Sequence, residues 1–330
     1  MSDILDCLVI GGGPAGLTAG IYLGRFRRRV LVIDKGWSRA EWITHSHNLP
    51  GFPDGIAGPT LLENLRRQAK LYGAVLQKGI VESLAVDADG AFVAEVAGTA
   101  ITARTVLLAA GVVENKPPLE HVADAVKHGL IRTCPICDGY ESIGKRIAVL
   151  GNGEHAAAEG LFLRTFADHV TLLLSVADAR NLTAETRTKL QDAGIAISHV
   201  AIGAVSLGPD GVTSISVEDG ATHHFDAVYS AFGIAPQTML AGSVGARLDA
   251  ANRLFVGEHQ ETTIAGLFAA GDLVRGLNQI SVAEGEAAIA ATAIHNRLHK
   301  VFASSTEAIA THRSDHVPSR EELEVARSAG

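Results

Sequence analysis

A strand–glycine loop–helix–strand unit that occurs twice in the chain is the feature that most constrains the fold. In the first unit an apolar run leads into a glycine loop at residues 11–16, and a second apolar run ends at Asp34. In the second unit a glycine loop at residues 151–156 precedes a helical pattern and a strand-like segment at 170–174. Such alternation is typical of parallel sheets with crossover helices. It predicts an α/β protein with two Rossmann-like nucleotide-binding domains in a three-layer architecture, the second inserted into the first.

The first glycine loop has the spacing of a dinucleotide-binding fingerprint. Gly11 permits a tight turn, Gly13 lets the backbone approach a pyrophosphate, and Gly16 lets the helix pack close to the strand. The N-terminus of that helix presents N–H groups to the phosphate. Asp34 follows Gly16 by 18 residues, and its carboxylate can accept hydrogen bonds from a ribose. The loop therefore predicts a dinucleotide site rather than a glycine-rich turn without a ligand.

A second binding signal lies near the other end of the chain. Residues 265–270 form a strand-like run that ends at Gly271 and Asp272, and a helix is predicted from near Gln279. An aspartate at the carboxyl end of a strand, beside a helix N-terminus, suits a ligand hydroxyl close to a phosphate. A simple turn or helix cap is an equally good interpretation of this segment in isolation.

The pair Cys134 and Cys137 has the Cys-x-x-Cys spacing that lets two sulfurs meet on one helical turn. Such a pair can cycle between dithiol and disulfide, and the carboxyl of Asp138 can supply or take the accompanying proton. Zinc requires four ligands, and the chain has no second Cys-x-x-Cys or Cys-x-x-His. An inert pair is the other alternative. Cys7 lies in a strand-like run and is predicted to be a buried apolar residue.

Charge and composition exclude several classes of partner. The net charge of −8 argues against general affinity for nucleic acid or anionic membranes, and no apolar run is long enough to span a bilayer. The polar start of the sequence carries no export signal, so we expect a cytoplasmic protein in which a close cysteine pair is catalytic rather than structural. The arginine cluster at residues 25–29 is predicted to be the solvated end of the first helix.

Taken in order, these motifs resemble the low-molecular-weight thioredoxin reductases. The resemblance covers about residues 4–300. The motifs that carry it are Gly11 to Gly16, Asn48-Leu49-Pro50-Gly51-Phe52-Pro53, Ala109-Ala110-Gly111, Cys134-Pro135-Ile136-Cys137-Asp138-Gly139, Gly151 to Ala156, Gly233-Ile234-Ala235-Pro236-Gln237-Thr238, and Ala269-Ala270-Gly271-Asp272 followed by Gln279.

The resemblance implies an FAD-binding domain formed by residues 1–115 and 245–330, with a smaller NAD(P)-binding-like domain at 116–244 that carries the cysteines. It also implies a homodimer. By the same resemblance Cys137 faces the flavin, Cys134 exchanges with an external disulfide, and Asp138 is the acid–base group. The residues expected to hold FAD are Gly11, Gly13, Pro14, Ala15, Gly16, Asp34, Lys35, Asn48, Val81, Ala110, Gly111, Gly271, Asp272, Gln279, Ile280 and Ser281.

The second glycine loop departs from the family pattern. Where NADPH-using members carry a His-Arg-Arg sequence that binds the 2′-phosphate, this chain has Leu174, Ser175 and Val176. The charge-assisted bonds of two arginines are thereby lost, although Arg180 matches a later family arginine. In the loop itself His155 replaces a small residue. We favour a degenerate site over one that binds NADH or NADPH weakly; its remaining residues are Gly151, Gly153, Ala156 and Arg180.

The sequence therefore predicts an FAD-dependent dithiol/disulfide oxidoreductase that passes electrons between flavin and the Cys134–Cys137 disulfide. The expected partner is thioredoxin, a thioredoxin-like protein or a small-molecule dithiol or disulfide, without efficient use of NADPH. The alternatives are a conventional NADPH-dependent thioredoxin reductase and an oxygen-using small-molecule dithiol oxidase. If NADPH is not used, ferredoxin or oxygen is expected as the alternative electron donor or acceptor. A flavin-binding redox sensor without turnover is disfavoured by the intact cysteine pair.

Two further features have no assigned role in this prediction. His45 and His47 precede Asn48 in a segment expected to approach the flavin, where a histidine can shuttle protons near neutral pH. Ordinary polar loop histidines are an equally good interpretation. The polar tail at residues 304–330 exceeds what the FAD domain needs, and we expect it either to dock over a partner subunit or to cover the nicotinamide path.

Overall fold

The computed structural model of the protein describes residues 4–115, 125–126, 129–199, 205–207, 213–216, 222–274 and 276–303; the predicted C-terminal tail lies outside these residues. The chain divides into two compact units. Unit 1 comprises Met1–Glu41, Pro59–Val112 and Pro236–Gly330, and unit 2 comprises Trp42–Gly58 and Val113–Ala235. Segment 42–58, which contains Asn48, therefore groups with the cysteine pair and not with the first glycine loop.

The described strands, in chain order, are β1 (Leu5–Ile10), β2 (Val30–Asp34), β3 (Val75–Lys78), β4 (Ser83–Val86), β5 (Phe92–Val96), β6 (Thr99–Leu108), β7 (Val112–Glu114), β8 (Ile131–Arg132), β9 (Arg146–Gly151), β10 (His169–Leu174), β11 (Ala196–His199), β12 (Val205–Leu207), β13 (Thr213–Ser216), β14 (Thr222–Phe225), β15 (Ala227–Ala231), β16 (Ile234–Pro236) and β17 (Leu267–Ala269). The described α-helices are α1 (Pro14–Arg25), α2 (Gly58–Leu71), α3 (Pro135–Asp138), α4 (Gly153–Leu163), α5 (Val176–Asn181), α6 (Ala184–Asp192), α7 (Met239–Ser243) and α8 (Ile280–Ala303).

Unit 1 is built on a seven-stranded sheet of order β3-β2-β1-β6-β5-β4, with β17 paired to β6. Strand β1 lies between β2 and β6, and both pairings are parallel. Five of the six residues of β1 are buried, which is the pattern of a parallel strand covered on both faces. Helix α1 follows β1 directly and packs along α8, so the two predicted binding segments lie on neighbouring elements of this unit.

Unit 2 contains a second parallel sheet of order β11-β10-β9-β15-β8. The central strand β9 is buried from Ile147 to Gly151 and pairs in parallel with β10 and β15. Helix α4 follows it, as α1 follows β1. A three-stranded antiparallel sheet, β12-β13-β14, and a β7–β16 pair complete the described strands. The predicted α/β class with two Rossmann-like units is confirmed.

The length and apolar composition of the helices bear on whether the described segments could cross a membrane. In those parts of the chain no helix, the 24-residue α8 included, has both the length and the apolar composition that crossing a bilayer requires.

Alanine at two helical glycines of unit 1 should have opposite effects on stability. A Cβ on Gly16 would lie 1.8 Å from the carbonyl oxygen of Gly11, whereas a Cβ on Gly285 of α8 would meet no atom within 4 Å. We expect Gly16→Ala to lower the free energy of unfolding by about 1–3 kcal/mol, and Gly285→Ala to raise it by about 0.5–1 kcal/mol. Urea denaturation followed by circular dichroism measures both, and equal effects of the two substitutions would contradict the packing described here.

Candidate active site

The first glycine loop is closed so tightly that only glycine fits at its turn. A Cβ on Gly11, whose φ is +115°, would lie 2.2 Å from the carbonyl oxygen of Ala109 at the end of β6. A Cβ on Gly12 would lie 2.5 Å from the carboxyl group of Asp34 at the end of β2. The loop backbone is therefore in direct reach of the carboxylate that the sequence assigned to a ribose. Gly13 then caps α1, whose first residue is Pro14.

A cavity of about 240 Å³ opens beside this loop within unit 1. Asp34 lies on one side, where its Oδ1 accepts a 3.0 Å hydrogen bond from the Gly36 backbone N–H. The Arg66 guanidinium approaches the other carboxylate oxygen at 4.0 Å, with side-chain relative exposures of 28% and 23%. Lys70 and Lys78 also line the cavity. Arg66 also forms a 3.1 Å ion pair with Glu41. A carboxylate that can accept from a hydroxyl, beside the two lysines and this arginine, suits a ribose joined to phosphate.

The second predicted binding segment, which ends at Gly271 and Asp272, lies beside the start of α1 within unit 1. A Cβ on Gly271, whose φ is +85°, would lie 3.2 Å from the Cβ of Ala15. The Gly271 N–H donates a 2.7 Å hydrogen bond to the Glu286 carboxylate, whose pKa is raised because the group is partly buried. Asp272 forms a 3.2 Å ion pair with Arg39. Two segments more than 250 residues apart are thus side by side in one unit.

The other predicted FAD residues of unit 1 lie in its hydrophobic core or close to the ends of its strands and helices. Val81 is buried in the hydrophobic core of the unit. The Lys35 ammonium lies 5.8 Å from the centre of the Trp37 ring. Ala110 and Gly111 follow the end of β6. Gln279 directly precedes α8, and Ile280 and Ser281 are its first two residues. The first glycine loop, the cavity and the N-terminal ends of α1 and α8 together form a cradle of the kind that binds a dinucleotide.

Asn48, in contrast, lies with the cysteine helix in unit 2. Its Nδ2 donates a 3.3 Å hydrogen bond to the carbonyl oxygen of Ile136, the residue between Pro135 and Cys137. Buried Ser46 donates to Asn48 Oδ1 at 3.1 Å. The rings of His45 and His47 are exposed, with their centroids 5.0 Å apart. The structure therefore joins this loop to the cysteine motif.

Cys134 and Cys137 form a disulfide at the start of the one-turn helix α3. Cys134 is its N-cap and Pro135 its first residue, which is a favourable position for proline because no N–H is needed there. The Cys137 N–H donates to the Cys134 carbonyl at 3.0 Å. Both cysteines are half-buried, whereas Ile136 between them is exposed. Among the described residues, no group of three or more His, Cys, Asp and Glu could hold a metal ion.

Asp138 belongs to a polar network beneath the disulfide. The Tyr229 hydroxyl donates to Asp138 Oδ1 at 2.7 Å, and Arg132 Nε lies 3.8 Å from Oδ2. Arg132 Nη1 also donates to the Asp138 carbonyl at 3.1 Å and to the Tyr229 and Ser142 hydroxyl oxygens at 3.2 Å each. Burial raises the pKa of the Asp138 carboxyl, against the opposing influence of Tyr229 and Arg132.

Sequence reasoning identified Asp138 but not Tyr229, Arg132 or Ser142. One weak signal was available: Tyr229 and Ser230 are hydroxyl-bearing side chains in the fully buried strand β15, where a hydroxyl needs a partner. Arg132, two residues before the first cysteine, gave no signal of burial. The network depends on β15 lying beside β8 in the sheet, which residue spacing does not reveal.

The second glycine loop approaches its neighbouring strand as closely as the first does. A Cβ on Gly151 would lie 2.2 Å from the carbonyl oxygen of Ala231 on the neighbouring strand. Gly153 begins α4 with a φ of +31°, and Ala156 is fully buried against the sheet. Arg180 is exposed near the end of α5. The backbone of a nucleotide loop is thus present.

The side chains around this loop are acidic and already bonded. Glu154, in the first turn of α4, accepts 2.6 Å hydrogen bonds from the Thr183 N–H and the Thr186 hydroxyl. These bonds lower its pKa, so it is ionised at neutral pH. The carboxylate oxygen Oδ1 of Asp178 would lie 3.9 Å from a Cβ on Gly153. Two acidic side chains thus lie close to the start of α4.

Ser175 and Val176 have structural roles at the end of β10. Ser175 is the N-cap of α5, and its Oγ accepts a 3.0 Å hydrogen bond from the Asp178 N–H. The same hydroxyl contacts the Asp178 carboxylate at 2.5 Å. The nearby guanidinium of Arg187 donates to the carbonyl oxygens of Ala179 and Leu182 at the end of α5. This cation stabilises a helix C-terminus.

A Cys-x-x-Cys disulfide in one unit and a dinucleotide cradle in the other are together characteristic of the flavin-dependent disulfide oxidoreductases. The model of the family "pyridine nucleotide-disulphide oxidoreductase" matches residues 5–287, and the chain belongs to this family. The protein is accordingly an FAD-dependent disulfide oxidoreductase of the thioredoxin-reductase type, as the sequence predicted.

Individual relatives agree with this assignment. A thioredoxin reductase from Streptomyces clavuligerus is 32% identical over 284 residues, covering 83% of this chain and 87% of the relative. The solved structure of HlmI has a TM-score of 0.84 at 24% identity and covers 100% of this chain and 99% of its own, which shows the shared fold. The atypical thioredoxin reductase TRi from Desulfovibrio vulgaris Hildenborough is 32% identical, with a TM-score of 0.51 and coverage of 89% and 98%.

Thiol counting tests the disulfide assignment. Cys7 is fully buried, and burial raises the pKa of its thiol to about 12, so it should not react in the folded protein. In the oxidised folded protein we expect no cysteine to be alkylated by iodoacetamide, and after mild reduction we expect Cys134 and Cys137 to react. Cys7 should react only after unfolding. Mass spectrometry assigns each site, and alkylation of Cys134 without reduction would contradict the disulfide.

Proposed function

We propose that this enzyme passes electron pairs between FAD and the Cys134–Cys137 disulfide, and on to thioredoxin or a similar dithiol or disulfide, with little use of NADPH. The FAD-binding domain comprises residues 1–115 and 245–330, the cysteine domain comprises 116–244, and the enzyme acts as a homodimer. The observation that carries the proposal is that uncharged Ser175 and Val176 stand at the end of β10, where Ser175 is bonded to Asp178, while the first loop and the cysteine pair are intact.

The residues of the cradle have distinct tasks in this proposal. Gly11, Gly13 and the N-terminus of α1 receive the pyrophosphate, and Asp34 accepts from the ribose. Residues expected to approach the rest of the cofactor are Lys35, Asn48, Val81, Ala110, Gly111, Gly271, Asp272, Gln279, Ile280 and Ser281. FAD, when bound, accepts or donates two electrons.

The cysteines and Asp138 perform the thiol chemistry. Two electrons added to the Cys134–Cys137 disulfide break the S–S bond and yield two thiolates, which take up protons according to their pKa. We assign Cys137 as the sulfur next to the flavin, and Cys134 as the sulfur that attacks an external disulfide. The Asp138 carboxyl, whose pKa is raised by burial, donates or accepts the proton that accompanies this exchange.

Charge at the second loop argues against tight NADPH binding. The 2′-phosphate of NADPH is bound through charge-assisted hydrogen bonds, each contributing about 1.5–3 kcal/mol. Ser175 and Val176 offer no cation, and Asp178 places a carboxylate close to the same backbone. Losing two such bonds weakens binding by roughly 100-fold or more.

A conventional NADPH-dependent thioredoxin reductase is the second candidate. It is favoured by the preserved backbone of the second loop, in which Gly151 lies tightly against β15 and Ala156 packs on the sheet. In that case Arg180 supplies the phosphate contact alone. An oxygen-using dithiol oxidase, or an enzyme reduced by ferredoxin, shares the same cysteine chemistry and differs only in the other electron partner.

Anaerobic mixing with reduced nicotinamides tests the absence of efficient NADPH use. We expect neither NADPH nor NADH to bleach the flavin rapidly, while excess dithiol reduces it through the cysteine pair. The loss of flavin absorbance in a stopped-flow instrument is the measurement. Rapid bleaching by NADPH would overturn this part of the proposal and favour the conventional enzyme.

A double variant supplies the matched control for this test. Ser175→Arg with Val176→Arg restores two cations at the end of β10, and we expect it to gain NADPH affinity by roughly 100-fold. Ser175→Gln with Val176→Gln removes the same N-cap without adding charge, and should gain nothing. If both double variants behave alike, charge at these positions is not what limits NADPH binding.

Cys137→Ser separates cofactor binding from thiol chemistry. We expect this variant to bind FAD normally but to lose disulfide-reducing or dithiol-oxidising activity by at least ~1000-fold, because serine cannot form the disulfide. Cys7→Ala is the control, since it removes the buried third cysteine and should leave activity in place. Flavin content and turnover with a disulfide substrate are measured side by side. Residual activity of Cys137→Ser near the wild-type level would refute the cysteine assignment.

A further inference from the structure

The hydroxyl of Tyr229 is buried directly against the Asp138 carboxyl, within unit 2. The Tyr229 side chain has no exposed surface, and its ring packs in the core of the second sheet. Its oxygen lies 2.7 Å from Asp138 Oδ1, 2.9 Å from Ser142 Oγ, and 3.2 Å from both Arg132 Nη1 and the Asp138 carbonyl oxygen. A buried hydroxyl with four polar neighbours has a restricted orientation, because it carries only one proton.

The direction of each hydrogen bond follows from counting donors. An arginine N–H can only donate, so the Tyr229 oxygen accepts from Arg132. The Tyr229 proton is then available for the shortest contact, which is the one to the carboxylate oxygen of Asp138. The Ser142 hydroxyl can donate to the Tyr229 oxygen in turn. In this arrangement Tyr229 stabilises the ionised form of Asp138.

The groups around Asp138 shift the pKa of its carboxyl in opposite directions. Burial favours the neutral acid and raises its pKa, and the negative charge of Glu141 adds to that effect. The Tyr229 hydrogen bond and the positive charges of Arg132 and Lys145 favour the carboxylate. Of these groups, Tyr229 makes the shortest hydrogen bond to the carboxylate itself.

We propose that Tyr229, oriented by Arg132 and Ser142, is a positioning residue that holds the Asp138 carboxyl in one orientation and sets the pH range over which it exchanges a proton with the cysteine pair. This inference rests on the proposed function, in which Asp138 is the acid–base group. It goes further by naming a strand residue, far from the cysteines in sequence, that controls that group.

The proton balance defines what Tyr229 contributes. When two electrons reduce the disulfide, one of the resulting thiolates takes a proton from the Asp138 acid and leaves a carboxylate. When the dithiol is oxidised, the carboxylate takes a thiol proton back. The Tyr229 hydrogen bond stabilises the carboxylate in both directions. Without it, the acid should retain its proton to higher pH.

Infrared titration of the wild-type and variant holoenzymes tests this role. The carbonyl band of protonated Asp138 is assigned by its loss in Asp138→Asn, and its pH midpoint is then followed in Tyr229→Phe. Phenylalanine keeps the buried ring and removes only the hydroxyl. We expect the midpoint to rise by about one pH unit, as loss of a hydrogen bond to a charged group predicts. A midpoint shifted by less than about 0.3 unit would overturn the proposal.

Ser142→Ala is the matched control. It removes another buried hydroxyl of the same network, which contacts Tyr229 but not the carboxylate oxygens of Asp138. Because Ser142→Ala removes one bond that orients the Tyr229 hydroxyl but leaves the Tyr229–Asp138 bond in place, we expect its midpoint to rise by less than that of Tyr229→Phe. An equal shift in the two variants would mean that general loosening of the network, rather than the Tyr229 bond, sets the titration.

A second substitution keeps the test decisive if Tyr229→Phe does not fold. Arg132→Gln retains amide donors but removes the positive charge beside Asp138, and it should also raise the midpoint. An unchanged or lowered midpoint would contradict the proposed arrangement. Because the infrared signal requires no turnover, its failure is distinct from failure of the proposed function, which would appear as wild-type cysteines that never exchange electrons with the flavin.

Discussion

Close approach of a glycine backbone to a neighbouring strand is the constraint on which both units depend. At Gly11 and at Gly151, a Cβ would lie 2.2 Å from the carbonyl oxygen of a residue on the adjacent strand, Ala109 and Ala231 respectively. This approach lets the chain turn sharply from a buried parallel strand into a helix. It explains why two units so different in sequence have the same strand–loop–helix geometry, and why the side chains around each loop can vary without loss of the fold.

The side chains around the two glycine loops differ in charge. The first loop has a carboxylate at Asp34 beside a cavity that also holds Arg66, Lys70 and Lys78. The second has Glu154 bonded to two threonines and Asp178 bonded to the Ser175 cap. This difference in side-chain charge is the basis for our proposal that the first loop binds a dinucleotide and that the second does not bind NADPH tightly.

The thiol chemistry depends on a different kind of arrangement. The disulfide lies on a helix of one turn, too short to organise its surroundings alone. The carboxyl of the adjacent Asp138 is instead held from the second sheet, by Tyr229 on β15 and Arg132 on β8. A rigid, fully buried strand can hold a hydroxyl against a carboxyl more consistently than a surface loop can, which is why we place control of the proton there.

The sequence by itself determined the α/β class, both glycine loops, the cysteine pair and the family, because strand–loop–helix alternation and residue spacing are local signals. It also located the missing arginines of the second loop, since these positions follow a strand at fixed distance. Only the tertiary structure brought Gly271 beside Ala15, grouped Asn48 with the cysteine helix, and set Tyr229 against Asp138. These contacts depend on which strands are neighbours and on which side chains share a buried space, and both are decided by packing across the whole sheet rather than by order along the chain.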